Sequence, residues 1–281
     1  AKRLFNLQDF GFIYSRLTNP TVSVLEERVA SIEKSRAAVA CSSGHAAQQL
    51  AFIPLLDNGD HFISSNKLYG GSINQFSKTF KRFGWNCDFV EPDNLSNFEN
   101  SIRDNTKFIF IETLSNPDGS IVDIEKVAKI AKKNHIPLIV DNTLATPFLH
   151  NPIDWGANIV THSLTKFMCG HGTSMGGIVV DCGNFNYLKD NKFPALSTPN
   201  KSYNDIKFSE TFGDFGYAMK VKADSLRDLG CSLSPQNAFN ILNGLETLHL
   251  RMREHVNNAK LVAKFLSSHP QIYEVSYAGL K

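Results

Sequence analysis

The hydrophobic positions of the chain fall into two rhythms, short apolar runs of strand length and longer stretches in which apolar residues recur every three or four positions. The runs Ala38 to Cys41, His61 to Ser64, Cys87 to Val90, Lys107 to Glu112, Ile136 to Asp141, Asn158 to Thr161 and Gly177 to Asp181 read as strands. Between them, Ile124 to Asn134 sets Ile124, Val127, Ala128 and Ala131 on one helical face, with Asp123 placed to cap it. This alternation predicts βα units around a mostly parallel sheet flanked by helices. Gly183 to Gly213, rich in Asn, Phe, Lys and Pro without a clear period, predicts a long loop leading out of a first domain. Ala238 to Leu266 predicts one or two long helices that begin a second, helical subdomain. The chain shows no internal repeat.

With 281 residues, 42% of them hydrophobic and 20% charged, the chain has ample apolar material for one large domain and a smaller piece. A net charge of +2 comes without a basic run or a basic stripe interleaved with aromatics, which argues against nucleic acid and anionic membranes and for a small-molecule partner. No apolar run approaches a membrane span, and the charged start has no apolar signal core behind it. The five cysteines are scattered without CxxC spacing, the pattern of reduced thiols in a cytoplasmic protein. Ala1 is not an initiator methionine and Tyr277 to Lys281 stops without a closing helix, so both ends read as cut.

In open α/β sheets ligands bind beyond the carboxyl ends of the strands, so polar residues there carry the candidate chemistry. Four segments qualify: Ser42 to His45, Glu112 with Asn116, Asp141 to Thr143, and His162 to Lys166. Ser43, Gly44 and His45 lie between a strand and the predicted helix Ala46 to Leu50, where unpaired N–H groups would form an anion pocket; a capping serine accounts for the same residues. Asp141 ends the most apolar strand, where a carboxylate needs a cation or donors; a protonated pyridine nitrogen, a magnesium ion and a cap each fit. Lys166 follows Ser163 and Thr165, hydroxyls able to join the same phosphate, and an amine at a strand end can act as nucleophile or base. Tyr69, after the strand ending at Ser64, can stack on a flat ring or fill a core edge. Arg16, beside Tyr14 in an irregular N-terminal arm, can grip a phosphate or stay solvated. The glycine-rich segment Gly170 to Gly177 lacks the lysine of a Walker motif and the GxGxxG spacing, and reads as a turn or as backbone passing under a cofactor. Cys169 and His171 lack further ligands, so no metal is expected. Taken jointly, phosphate donors, a buried acid and a lysine at the ends of one sheet are the set that pyridoxal 5′-phosphate (PLP) requires.

The motifs Tyr14-Ser-Arg16 with Asn19-Pro-Thr21, Ser43-Gly44, Tyr69-Gly-Gly71, Ser115-Asn-Pro117, Val140-Asp-Asn-Thr143, Ser163-x-Thr-Lys166, and Leu229-Gly with Leu233-Ser-Pro235 occur in order. Together they resemble the Cys/Met-metabolism PLP-dependent enzymes, from about Phe10 to the end of the chain. Gly170 to Gly177, Arg82-Phe-Gly84, Leu226 to Gly230 and Gly244 to Arg251 are most similar to the O-acetylhomoserine sulfhydrylase branch. Lyases and cystathionine synthases usually carry an acidic residue in place of Thr173.

The resemblance implies the aspartate aminotransferase-like fold, PLP-dependent transferase fold type I. It implies an arm over residues 1–20 that reaches a neighbouring subunit, a PLP-binding domain over 21–210, and the beginning of a smaller α+β C-terminal domain over 211–281. It implies that Lys166 holds PLP as a Schiff base, that Asp141 meets the pyridine nitrogen, and that Tyr69 stacks on the ring and assists catalysis. Gly44 and His45 would offer backbone N–H groups to the phosphate beside Ser43, joined by the side chains of Ser163 and Thr165, and Asn116 would reach the ring hydroxyl. Tyr14 and Arg16 would reach the phosphate of a neighbouring subunit, so a homo-oligomer, dimeric at least and tetrameric by resemblance, is expected. His45 stands where the family often has Met or Gln, and Ile73 replaces an aromatic common in sulfhydrylases. The family's substrate-carboxylate arginine falls beyond Lys281.

The implied reaction is γ-replacement on O-acetylhomoserine with sulfide, giving homocysteine and acetate for methionine biosynthesis. A cystathionine γ-synthase or a methionine or cystathionine γ-lyase is the alternative within the family. The alternative of another class is a non-catalytic nucleotide-binding α/β protein, for which no dinucleotide fingerprint is present.

Overall fold

In the computed structural model, which describes residues 2–5, 7, 9 and 11–280, the apolar runs form seven strands. Phe10, where the motif resemblance begins, and the termini Ala1 and Lys281 lie outside the described residues. The strands are β1 (Ala37–Cys41), β2 (His61–Ser65), β3 (Asn86–Val90), β4 (Thr106–Glu112), β5 (Leu138–Asp141), β6 (Ile159–His162) and β7 (Gly177–Asp181). Each coincides with a predicted run to within two residues. The largest shift is at β5, which starts after Pro137, a residue with no N–H to give a ladder.

The sheet order is β1-β7-β6-β5-β4-β2-β3, and only β7 runs antiparallel to its neighbours. Apart from the edge strand β3, the strands are buried on both faces, which is why their runs are mostly apolar rather than alternating. Ile109 and Ile111 of β4 enter one core with Leu138 and Val140, while Phe108 and Phe110 enter the other with Ile139. The first core is covered by α1 (Pro20–Ile32), α3 (Ile124–Lys133) and α4 (Pro235–Glu246), and the second by α2 (Gly44–Phe52), whose Phe52 packs on Phe108 with ring centroids 4.5 Å apart. Asp123 caps α3 as the pattern predicts, accepting the Lys126 N–H at 3.1 Å.

The stretch 183–213 corrects the expected long loop. It is built of short helical turns, Lys189–Asn191, Pro194–Ser197, Lys201–Tyr203 and Phe208–Phe212, and it folds back onto the second core rather than leading away. Tyr187, Phe193, Leu196, Tyr203 and Phe208 are all buried there. The helical region beyond is two helices, α4 and α5 (Leu248–Ser267), joined at Thr247. Ile241 and Leu245 of α4 and Leu248 and Met252 of α5 belong to the same core as the sheet. Past α5 the described chain is turns and irregular backbone.

Candidate active site

The carboxyl ends of β1, β4, β5 and β6 lie along one edge of the sheet, because Glu112 pairs in register with Asp141, Asp141 with Thr161, and Cys41 with Gly177 at the start of β7. The structure brings the candidate segments that follow these strands together on that edge. After β1, Ser43 takes up extended backbone as the N-cap of α2, and its hydroxyl accepts the Ala46 N–H at 3.1 Å. The capping reading of Ser43 is therefore realised, and the N–H groups of Gly44 and His45 open the first turn of α2. The backbone passes very close here: a Cβ at Gly44 would sit 2.8 Å from Ser163 Cβ, and one at Gly177 would sit 1.9 Å from the Ser43 carbonyl oxygen. Glycines at 44 and 177 thus let the helix N-terminus, the Ser163 turn and β7 converge.

Asp141 is buried, and both carboxylate oxygens find donors. Oδ1 accepts the Thr143 N–H at 3.0 Å and Oδ2 accepts the Thr161 hydroxyl at 3.3 Å. Thr143 in turn accepts the Ser163 N–H on its hydroxyl at 2.8 Å, which ties the loop after β5 to the turn that carries Lys166. Lys166 is exposed, and its amine makes no hydrogen bond or ion pair with the described residues. Thr165 lies on the same turn, but its hydroxyl is committed to Gly176, accepting the N–H at 3.1 Å and donating to the carbonyl at 3.2 Å. No group of three or more His, Cys, Asp or Glu among the described residues is arranged to hold a metal.

Tyr69 is 51% exposed, and its ring is tilted against His45 with centroids 5.7 Å apart. Burial pulls the His45 imidazole below its ordinary range while the charge of Asp141 opposes that shift, so His45 lies within the field of the Asp141 carboxylate. Asn116 is exposed, and its backbone N–H donates to Glu112. Arg16 lies against the segment Arg227 to Gly230, where a Cβ at Gly230 would sit 3.8 Å from its Cδ. The Arg16 guanidinium lies 5.5 Å from the Tyr14 ring centroid and donates to the carbonyl of Arg227.

Sequence reasoning missed Glu33, which braces this edge. Glu33, at the C-terminus of α1, is fully buried and gathers three segments. Its Oε1 lies 2.6 Å from His162 Nε2 and accepts from the Asn142 side chain at 3.0 Å, while Oε2 accepts from Asn151 at 3.4 Å. Asn142 Oδ1 also accepts the Thr113 hydroxyl at 2.9 Å. One carboxylate thereby links the residues next to Glu112, Asp141 and Ser163. The Lys166 turn has a second brace: a Cβ on Gly244 would lie 2.2 Å from the Cys169 carbonyl oxygen, and Arg251 of α5 donates to the Phe167 carbonyl at 2.7 Å. Gly244 and Arg251 stood in a segment marked by its resemblance, and Asn142 and His162 stood beside strand ends, but nothing in the sequence pointed to their bracing roles.

A profile described as "Cys/Met metabolism PLP-dependent enzyme" matches residues 1–281. Over the whole chain the sequence is 46% identical to the O-acetyl-L-homoserine sulfhydrylase of Leptospira meyeri, of which it covers 65%. It is likewise 46% identical to the homocysteine/cysteine synthase of Saccharomyces cerevisiae, covering 64% of that protein. The chain thus spans a little under two thirds of the length of these relatives. A crystal structure of a putative O-acetylhomoserine (thiol)-lyase from Campylobacter jejuni, which contains N′-pyridoxyl-lysine-5′-monophosphate, superimposes with a TM-score of 0.95 at 43% identity. That match covers 99% of this chain and 68% of the other.

Proposed function

The chain belongs to the Cys/Met metabolism PLP-dependent enzymes, and from that premise we propose that it holds pyridoxal 5′-phosphate on Lys166 and catalyses γ-replacement on O-acetylhomoserine with sulfide. The observation that carries the cofactor assignment is the closure of Gly44 onto Ser163, where a single Cβ would fill the space beside the N-terminus of α2. The donor set fits the group. The Gly44 and His45 N–H groups and the Ser163 hydroxyl would take the phosphate, Asp141 the pyridine nitrogen, Tyr69 the ring face and Asn116 the ring hydroxyl. With its hydroxyl on Gly176, Thr165 is assigned to shaping the lysine turn as well as to the phosphate.

Bound there, the cofactor supplies an electron sink for charge developing at Cα of an amino acid. Freed when the substrate's amine takes its place on the cofactor, the Lys166 amine would take the Cα proton, and with Tyr69 it would move a proton at Cβ. Acetate then departs from Cγ and hydrosulfide adds there, so O-acetylhomoserine and hydrogen sulfide become homocysteine and acetic acid. The protein's own tasks are to orient the substrate and to exclude water, whose entry would divert the substrate to a keto acid and ammonia. The substrate assignment rests on the names of the relatives. In the same reading residues 1–20 form an arm, with Tyr14 and Arg16 serving a neighbouring subunit of a cytoplasmic homo-oligomer. Residues 21–210 form the cofactor domain and 211–281 begin the C-terminal one. No helix among the described residues is long and apolar enough to cross a membrane.

The test is to give the full-length protein O-acetylhomoserine with and without sulfide. Homocysteine and acetate in equal amounts, formed only with sulfide, are expected; keto acid and ammonia formed without sulfide would identify a lyase instead.

A further inference from the structure

Glu112 ends β4 and has no role in the reaction proposed above. It is 6% exposed and stands beside Asp141 in the register of the sheet. Its two oxygens face two different loops: Oε1 accepts the Tyr69 backbone N–H at 2.8 Å, and Oε2 accepts that of Asn116 at 3.1 Å. The Tyr69 loop leads from β2 into the short helix Gly70–Asn74, and the Asn116 loop is a turn closed by Ser115 N–H on the Ser120 carbonyl at 2.9 Å. We propose that Glu112 is a positioning residue of the site, whose carboxylate fixes the ring-stacking Tyr69 and the ring-hydroxyl partner Asn116 relative to each other and to Asp141. This inference rests on the cofactor reading.

Three observations carry it. Tyr69 is half exposed, so the core does not enclose its ring; the ring rests against His45 and Gly71, where a Cβ would lie 2.4 Å from Tyr69 Cε1, and its backbone is anchored on Glu112. Bridging two N–H donors needs an acceptor on each of two coplanar atoms, which a carboxyl group offers when ionised and, with its one hydrogen turned aside, when protonated. The isosteric amide would turn an NH2 group toward one of the donors. Finally, the arrangement is costly. Burial and the neighbouring Asp141 charge push the Glu112 carboxyl up to about 8, against the pull of its two N–H bonds. A buried acid placed against a second acid weakens the fold, a local conflict of the kind found at functional sites.

The experiment compares the full-length unmodified protein with Glu112→Gln and Glu112→Ala. It measures equilibrium binding of pyridoxal phosphate, the visible-band circular dichroism of the bound cofactor, and the melting temperature without cofactor. Both variants should bind more weakly, by about tenfold for Glu112→Ala and less for Glu112→Gln, which keeps one acceptor. Both should lose visible ellipticity while the cofactor-free protein stays folded. Adding Tyr69→Ala to Glu112→Ala should cost less than the two single losses combined, because the anchor acts through that ring. Should Glu112→Ala fail to fold, the isosteric Gln variant carries the same expectation. Unmodified protein that binds pyridoxal phosphate, beside variants that match it in affinity and ellipticity, would overturn the inference alone. Unmodified protein that takes up no pyridoxal phosphate would overturn the proposed function and the inference with it.

Discussion

At the scale of single residues the site is an exercise in placing charge where water is scarce. Asp141 is buried at a strand end with a hydroxyl and one backbone N–H for donors, which leaves its carboxylate able to accept one more cationic donor. Replacing it with Asn removes the charge and keeps the shape. Asp141→Asn should lower turnover of O-acetylhomoserine on the order of a hundredfold, the scale of losing one preorganised electrostatic partner, with the melting temperature nearly unchanged. A steady-state assay beside a thermal melt checks this. The positions of Asp141 at the end of β5 and of Lys166 in the turn after β6 were legible in the sequence, because each is a polar residue closing or following an apolar run. The commitment of Thr165 to Gly176 was not legible, since a hydroxyl's partner 11 residues away depends on how the glycine-rich turn closes.

At the scale of elements, helices behind the sheet hold what the strand ends present. Glu33 extends α1 into the gap behind β5 and β6, and its partner His162 is 129 residues away in sequence. No local pattern in the chain announces such a pair. Removing one member of a buried hydrogen-bonded pair leaves the other's polar group unsatisfied, at a cost of about 1–3 kcal/mol. Glu33→Ala should therefore destabilise the protein by that order in denaturant melts. It should also weaken cofactor retention, because Asn142 and His162 adjoin Asp141 and Ser163. A loss below about 1 kcal/mol would show that the latch is not what fixes those strand ends. The strands themselves were legible because seven continuous apolar runs have few other uses in a chain of this size. The stretch 183–213 was not, because turns of three to five residues are too short to display a helical period, even though their aromatics are buried.

At the scale of the whole molecule, buried acids and histidines set how the fold responds to pH. Glu112 is held up to about 8 and Asp181 up to about 6, both chiefly by burial. The folded state therefore binds more protons than the unfolded state above about pH 4, and these two groups contribute stability that is lost as pH rises through those values. His61 runs the other way: burial lowers it, so its contribution is lost as pH falls below its ordinary 6.5. Cofactor-free protein should lose stability between about pH 6 and 8, and Glu112→Gln should flatten that part of the profile; denaturant melts across pH measure both. One bond at one residue, between Lys166 and the cofactor, decides the proposed function. The full-length protein would be incubated with pyridoxal phosphate, reduced with borohydride and digested, and the peptides sequenced by mass spectrometry. A pyridoxyl group fixed on Lys166 and absent from Lys166→Ala is expected. Cofactor fixed on another lysine, or none fixed in a protein that is otherwise folded, would contradict the proposed function.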